Sequence, residues 1–111
     1  MSQQEANILY VLSKHRGEAN AITFKNLALR VGMSDRDLRS TVADMILKGI
    51  PIGTSSSSGY YFISSREELK HCKNEAWSRS TKSRERAQAY EEMEEEIYGK
   101  TEQLTMADYT N

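Results

Sequence analysis

The sequence is short of the residues that build special frameworks: its 111 residues hold one cysteine, Cys72, and one proline, Pro51. A lone cysteine excludes an internal disulfide framework and suits a reducing compartment. His71 stands beside Cys72, but no further thiol or imidazole falls at ligand spacing, and a structural zinc site uses four ligands. No metal is expected. Nor does any apolar run approach the roughly 18 residues of a membrane span, and the N-terminus lacks the charged-then-apolar pattern of a secretory signal. The expectation is a cytoplasmic protein with no membrane partner. Cofactor and catalytic motifs are missing as well. The serines between Gly53 and Gly59 lack the Lys-Ser/Thr ending of a P-loop, and no nucleophile, base and orienting group, nor a pair of acids in a plausible cleft, can be picked out. A non-enzymatic chain without cofactor or small-molecule ligand is expected.

A chain of this length makes one domain with a small core. The overall charge of -1 conceals an asymmetry: residues 1–88 carry 14 Lys/Arg against 9 Asp/Glu, and residues 89–111 carry 1 against 7, leaving +5 and -6. A mildly basic body suits a polyanion, provided the acidic end lies away from it.

The stretch Thr23 to Gly49 organises the rest. Thr23 and Ser34 each precede a helical pattern as N-caps, and Gly32 and Gly49 stand where each helix should stop. Leu27 and Val31 face inward on the first helix. Leu38, Val42, Met45 and Ile46 do so on the second, at the three-and-four spacing of one buried stripe. Small Ala28 lets the two helices approach. Two helices of this length joined by a turn of about four residues describe a helix-turn-helix, whose second helix lies in a DNA major groove. Residues Gly49 to Ile63 then give two short strands around a Gly/Ser loop, with Ile50 and Ile52 alternating inward and Tyr60, Tyr61, Phe62 and Ile63 as strand formers.

With that hairpin in place, the sequence resembles the winged helix-turn-helix of the biotin-repressor N-terminal type, in particular the small winged-helix proteins of bacteriophages and prophages. The matching residues are Leu27-Ala28, Gly32-Met33-Ser34, Asp37-Leu38-Arg39, Val42, Gly49-Ile50-Pro51-Ile52, Gly59-Tyr60-Tyr61 and Glu67-Glu68-Leu69, within roughly residues 5 to 75. The resemblance implies a mainly α fold with a small β-hairpin, a winged helix-turn-helix over residues 1–64, and binding of double-stranded DNA by a transcriptional regulator or replication accessory factor. It is followed by a helical extension over residues 65–99 and a frayed tail over residues 100–111.

Before the core stretch, residues 3–16 read as a first helix with Ile8, Val11, Leu12 and His15 on one stripe and Gly17 as its stop. His15 is expected as a partly buried, hydrogen-bonded imidazole. Ile22 is a candidate for a brief strand that pairs with the wing. With Leu38 at the centre of the buried face of the second core helix, Arg36, Ser40, Ala43 and Leu47 lie opposite, with Arg39 and Asp44 on the flanks. Arg36 and Ser40, with Arg39 beside them and Ala43 offering a methyl contact to thymine, are the expected base readers. The competing reading is a solvated face whose arginines pair with Asp35, Asp37 or Asp44. Lys25, Arg30, Ser34 and Lys48 are expected at phosphates. The wing tip has no Lys or Arg, so Thr54, Ser55, Ser56 and Ser57 offer hydroxyls and amides there.

Ser65 to Glu68 is a capping box opening another helix. From Arg66 to Tyr98 no proline or glycine intervenes, which allows 33 residues and a helix of about 50 Å. Leu69, Cys72, Ala76, Tyr90 and Ile97 trace a near-heptad stripe with Trp77 beside it, weak in the middle at Ser80 and Ser83. The stripe leaves three alternatives: a break near residues 78–84, a helical hairpin, or a dimer arm. The expectation adopted is a homodimer through Leu69, Cys72, Ala76, Trp77, Tyr90 and Ile97, with basic Arg79 to Arg86 set against acidic Glu91 to Glu96 of the partner. A winged-helix module that docks on another protein, without reading DNA, is the alternative function.

Overall fold

The computed structural model describes residues 1–55, 57–78 and 84–99. Over these the chain is mainly helical with one small antiparallel hairpin, in the order α1 (Gln3–Leu12), α2 (Phe24–Val31), α3 (Asp35–Leu47), β1 (Ile52–Ser55), β2 (Gly59–Phe62), α4 (Arg66–Ser78) and α5 (Arg84–Tyr98).

The local signals explain most element ends. The Ser2 hydroxyl accepts from the Glu5 N–H at 3.2 Å while the Glu5 carboxylate accepts from the Ser2 N–H at 2.9 Å, a closed capping box on α1. Thr23 and Ser34 cap α2 and α3 by accepting from Asn26 and Asp37, and Gly32 ends α2 in the left-handed conformation. The expectation of a first helix running to residue 16 is corrected, since α1 stops at Leu12. The cause lies in the sheet. Phe62 donates its N–H to the His15 carbonyl at 2.8 Å and accepts from the Gly17 N–H at 2.9 Å, so residues 15–17 must leave the helix for Arg16 to bridge the outer edge of β2.

Further along that edge Ile22 exchanges two backbone hydrogen bonds of 2.8 Å with Tyr60, the pairing expected of it. Ile52 pairs with Phe62 and Ser55 with Gly59 across the hairpin. Gly59 has a positive φ of 109°, and a β-carbon there would run into the Ile22 carbonyl, so the position takes no side chain. Ile52 is fully buried, whereas Ile50 is only partly buried and precedes the strand. Its N–H donates to the Met45 carbonyl in the last turn of α3.

Ile8 and Leu12 of α1, Leu27 of α2 and Leu38, Val42, Met45 and Ile46 of α3 fill the core at 0–1% exposure. That same cluster continues into Leu69 of α4 and Met93 of α5. Here the expected continuous helix and its dimer stripe are corrected. α4 and α5 pack antiparallel on each other, with Arg66 and Ala76 of α4 beside Glu94 and Arg86 of α5. Leu69, Cys72, Ala76 and Tyr90, which were to meet a partner, are all buried within the chain. Small Ala76, Ala87 and Ala89 are buried here, and the Tyr61 hydroxyl meets the Cys72 thiol at 3.4 Å, Gly53 leaving room for the Tyr61 ring over β1.

Glu94, one of the acidic residues expected to face a partner, pairs within the chain with Arg66 at 3.0 Å and Lys73 at 2.9 Å of α4. Trp77 and Ile97 stay partly exposed, at 43% and 49%, but at opposite ends of the helical pair, so they form no continuous stripe. Of the expected break near residues 78–84, residues 79–83 lie outside the described residues, as does the expected frayed tail at 100–111. No described helix is long and apolar enough to cross a membrane.

Candidate nucleic-acid interface

Burial of Leu38, Val42, Met45 and Ile46 fixes the rotation of α3 and turns Arg36, Ser40 and Asp44 outward, all exposed. Asp35 and Asp37 occupy the first turn, where the helix dipole favours carboxylates. Arg39 lies on the flank. Its Nε is 3.3 Å from the Asp35 carboxylate, both side chains being about 60% exposed, and its guanidinium lies 5.3 Å from the Phe24 ring centre. Phe24 in turn packs on Tyr60 at 4.7 Å. An exposed pair of this kind contributes only about 0.3–0.5 kcal/mol, so Arg39 is easily drawn to another anion.

The four expected base readers therefore divide. Arg36 and Ser40 face out from α3, while Arg39 and Ala43 line a groove of about 430 Å³ whose other wall is Thr54 and Tyr60 of the hairpin and Arg86 of α5. Burial pushes the pKa of the Tyr60 hydroxyl up, and Asp35 adds to that, while nearby Arg39 and Arg86 act in the opposite direction.

The expected phosphate contacts divide too. Lys25 and Ser57 face each other across a second groove of about 580 Å³, lined also by Leu29, Met33 and Asp35. Arg30 opens into a different groove beside His15 and Asn26. The His15 Nδ1 lies 2.8 Å from the Asn20 carbonyl, as a hydrogen-bonded imidazole should. Ser34 uses its oxygen as a cap for Asp37 at 3.1 Å, which leaves its proton to donate. Ser55 accepts from the Ser58 N–H at 3.3 Å and lies 3.2 Å from the Ser57 hydroxyl, while Ser56 is outside the described residues.

Lys48 departs most from its expected role. Its Nζ is 2.8 Å from the carboxylate of Glu5, a residue 5% exposed. The bond ties the end of α3 to the start of α1. Lys48 and the Ser2 N–H hold the Glu5 carboxyl well below its usual range, at about 2. As the C-cap of α3, Lys48 also sits about 20 Å from Ser34 along the helix axis.

Phe24 and Arg86 are the residues that sequence reasoning missed. Phe24 falls on the inward spacing of Leu27, Ala28 and Val31, so its packing was legible, but its contact with Arg39 was not. Arg86 reaches the groove only because α5 folds back. Among the described residues, no group of three or more His, Cys, Asp or Glu is placed to hold a metal ion, and burial raises the pKa of the Cys72 thiol, keeping it neutral. The chain matches no known family model, no characterised protein and no solved structure.

Proposed function

We propose that this chain is a non-enzymatic, sequence-specific binder of double-stranded DNA in a bacterial or phage-infected cytoplasm, acting as a small transcriptional regulator or replication accessory factor. In this reading α3 is the recognition helix of a winged helix-turn-helix. The observation that carries it is the exposed outward face of α3, where Arg36 and Ser40 stand free of the core that Leu38 and Val42 fill. Arg36 is suited to the paired acceptors of a guanine edge and Ser40 to either donor or acceptor groups. The hairpin flanks the helix with Ser57 opposite Lys25, a place for backbone phosphates. Binding needs no partner to cover the apolar stripe of α4 and α5, so pairing of two copies on a palindromic site is a separate question of oligomeric state.

Duplexes selected from a randomised library supply the test. Arg36→Ala should keep the thermal melt and lose about 1–3 kcal/mol of preference for the selected site over random DNA. Equal weakening on both would make Arg36 a phosphate contact. If the intact chain bound neither duplex at low salt, the DNA reading would fall. A protein-docking role would then take its place, for which Leu29, 71% exposed on the wall of the 580 Å³ groove, is the favouring observation.

A further inference from the structure

The groove between α3, the hairpin and α5 brings together residues that are 47 positions apart: Arg39 and Arg86 border it, with the hydroxyl-bearing Thr54 and Tyr60 on the hairpin side and Ala43 between. Guanidinium groups present paired N–H donors in a fixed fork that matches a tetrahedral oxyanion, and hydroxyls complete such a site. We propose that this groove binds a backbone phosphodiester of nucleic acid, with Arg39 and Arg86 as the principal donors, so that α5 supplies the cation which the hairpin tip lacks. The inference rests on the DNA reading above and changes one part of it: Arg39 moves from the base edges to the backbone.

The surroundings of Arg39 favour this assignment. Phe24 lies beneath its guanidinium at 5.3 Å and is itself held against Tyr60, which keeps the side chain over the groove. Its ion pair with Asp35 is exposed and therefore weakly held. The groove also adjoins the outward face of α3, where a strand backbone must pass if Arg36 and Ser40 reach base edges. Two carboxylates oppose the anion. Asp35 competes for Arg39, and Glu75 lines a small cavity behind the groove together with Arg86, while lying 3.2 Å from His71.

The opposing Asp35 makes the proposal testable in both directions, using fluorescence anisotropy of the full chain on a random-sequence duplex over a range of KCl concentrations. Arg86→Gln should make the slope of log affinity against log salt shallower by about 0.9, the share of one phosphate, and weaken selected and random duplexes alike. Arg86→Lys should keep most of the slope, and Asp35→Asn should tighten binding. If Arg86→Gln lowers the thermal melt, Asp35→Asn carries the test: tighter binding supports the groove and unchanged binding overturns it. Wild-type binding with an unmoved slope in a folded Arg86→Gln protein overturns the groove and leaves the DNA reading intact, whereas absence of wild-type binding removes both. Inorganic phosphate at matched ionic strength forms the last arm. Displacement of DNA no greater than that by chloride is expected, and tight phosphate binding to the free protein would overturn the backbone assignment in favour of a free-anion site.

Discussion

The packing of α1, α2 and α3 and the seam that holds α4 and α5 are made of different materials. Ile8, Leu12, Leu27, Leu38, Met45 and Ile46, all at 0% exposure, fill the first. The second buries Leu69, Tyr90 and Met93 beside the small side chains Cys72, Ala76, Ala87 and Ala89, and adds directed polar bonds. Glu94 joins Arg66 and Lys73, the Tyr90 hydroxyl donates to the Ile52 carbonyl at 2.8 Å, and the Glu68 carboxylate accepts from the backbone of Ser64 and Glu18. Apolar burial is nondirectional and scales with area, whereas hydrogen bonds and ion pairs fix a register and respond to protonation. The platform that presents α3 is thus held chiefly by volume, and the helical pair that positions Arg86 is held by volume together with directed bonds and charge.

The largest expected effect falls on the platform. Leu38→Ala should cost about 2–5 kcal/mol in denaturant unfolding through the lost burial and the cavity left behind. A loss under about 1 kcal/mol would mean that α3 is rotated otherwise and that its outward face is misassigned. Tyr90→Phe sharpens the contrast at the seam. Removing the hydroxyl takes a buried donor from the Ile52 carbonyl, for about 1–3 kcal/mol, with α5 amides gaining hydrogen exchange more than those of α2. Uniform exchange across the chain would contradict a seam of separate character.

Acid gives the smallest and most graded effect. Glu5, Glu68 and Glu94 have pKa values below the ordinary 4.5, held down by Lys48, by backbone N–H groups of Ser64 and Glu18, and by Lys73 with Arg66, in each case against burial where burial opposes it. A depressed carboxyl contributes stability that is present above its unfolded value and lost as pH falls through its folded value. Stability should therefore decline from about pH 4.5 downward, the Glu5 share last, near 2. Two of the three carboxylates serve the seam, so the fluorescence of Trp77 on α4 should change at higher pH than the far-ultraviolet helix signal. Coincident transitions would show that platform and seam yield together.

The same difference in materials decided what the sequence disclosed. Local chemistry was readable. The caps Thr23 and Ser34, the left-handed Gly32, the inward Leu38–Val42–Met45–Ile46 stripe, the hairpin and the pairing of Ile22 all follow from residues a few positions apart. The early end of α1 was not readable, because it answers to Phe62, some fifty residues on. A Gly-free and Pro-free run from Arg66 to Tyr98 fits one long helix as well as two, and only the burial of Leu69, Cys72 and Tyr90 on their own chain distinguishes them. Of the candidate site, the exposure of Arg36 and Ser40 was legible from helical phase. The meeting of Arg39 with Arg86 and the capture of Lys48 by Glu5 were not, since both depend on how distant elements return.

Whether α3 and its flanks form one nucleic-acid face, as proposed, is read from amide chemical-shift mapping of the full chain during titration with a duplex. The largest shifts are expected at Ser34 to Ala43, at Thr54 and Ser57 to Ser58, and at Arg86, with Gln3 to Asn7 of α1 unmoved. Shifts confined to α1, or to the ends of the helical pair at Trp77 and Ile97, would contradict that face, and no shifts at millimolar duplex would contradict nucleic-acid binding itself.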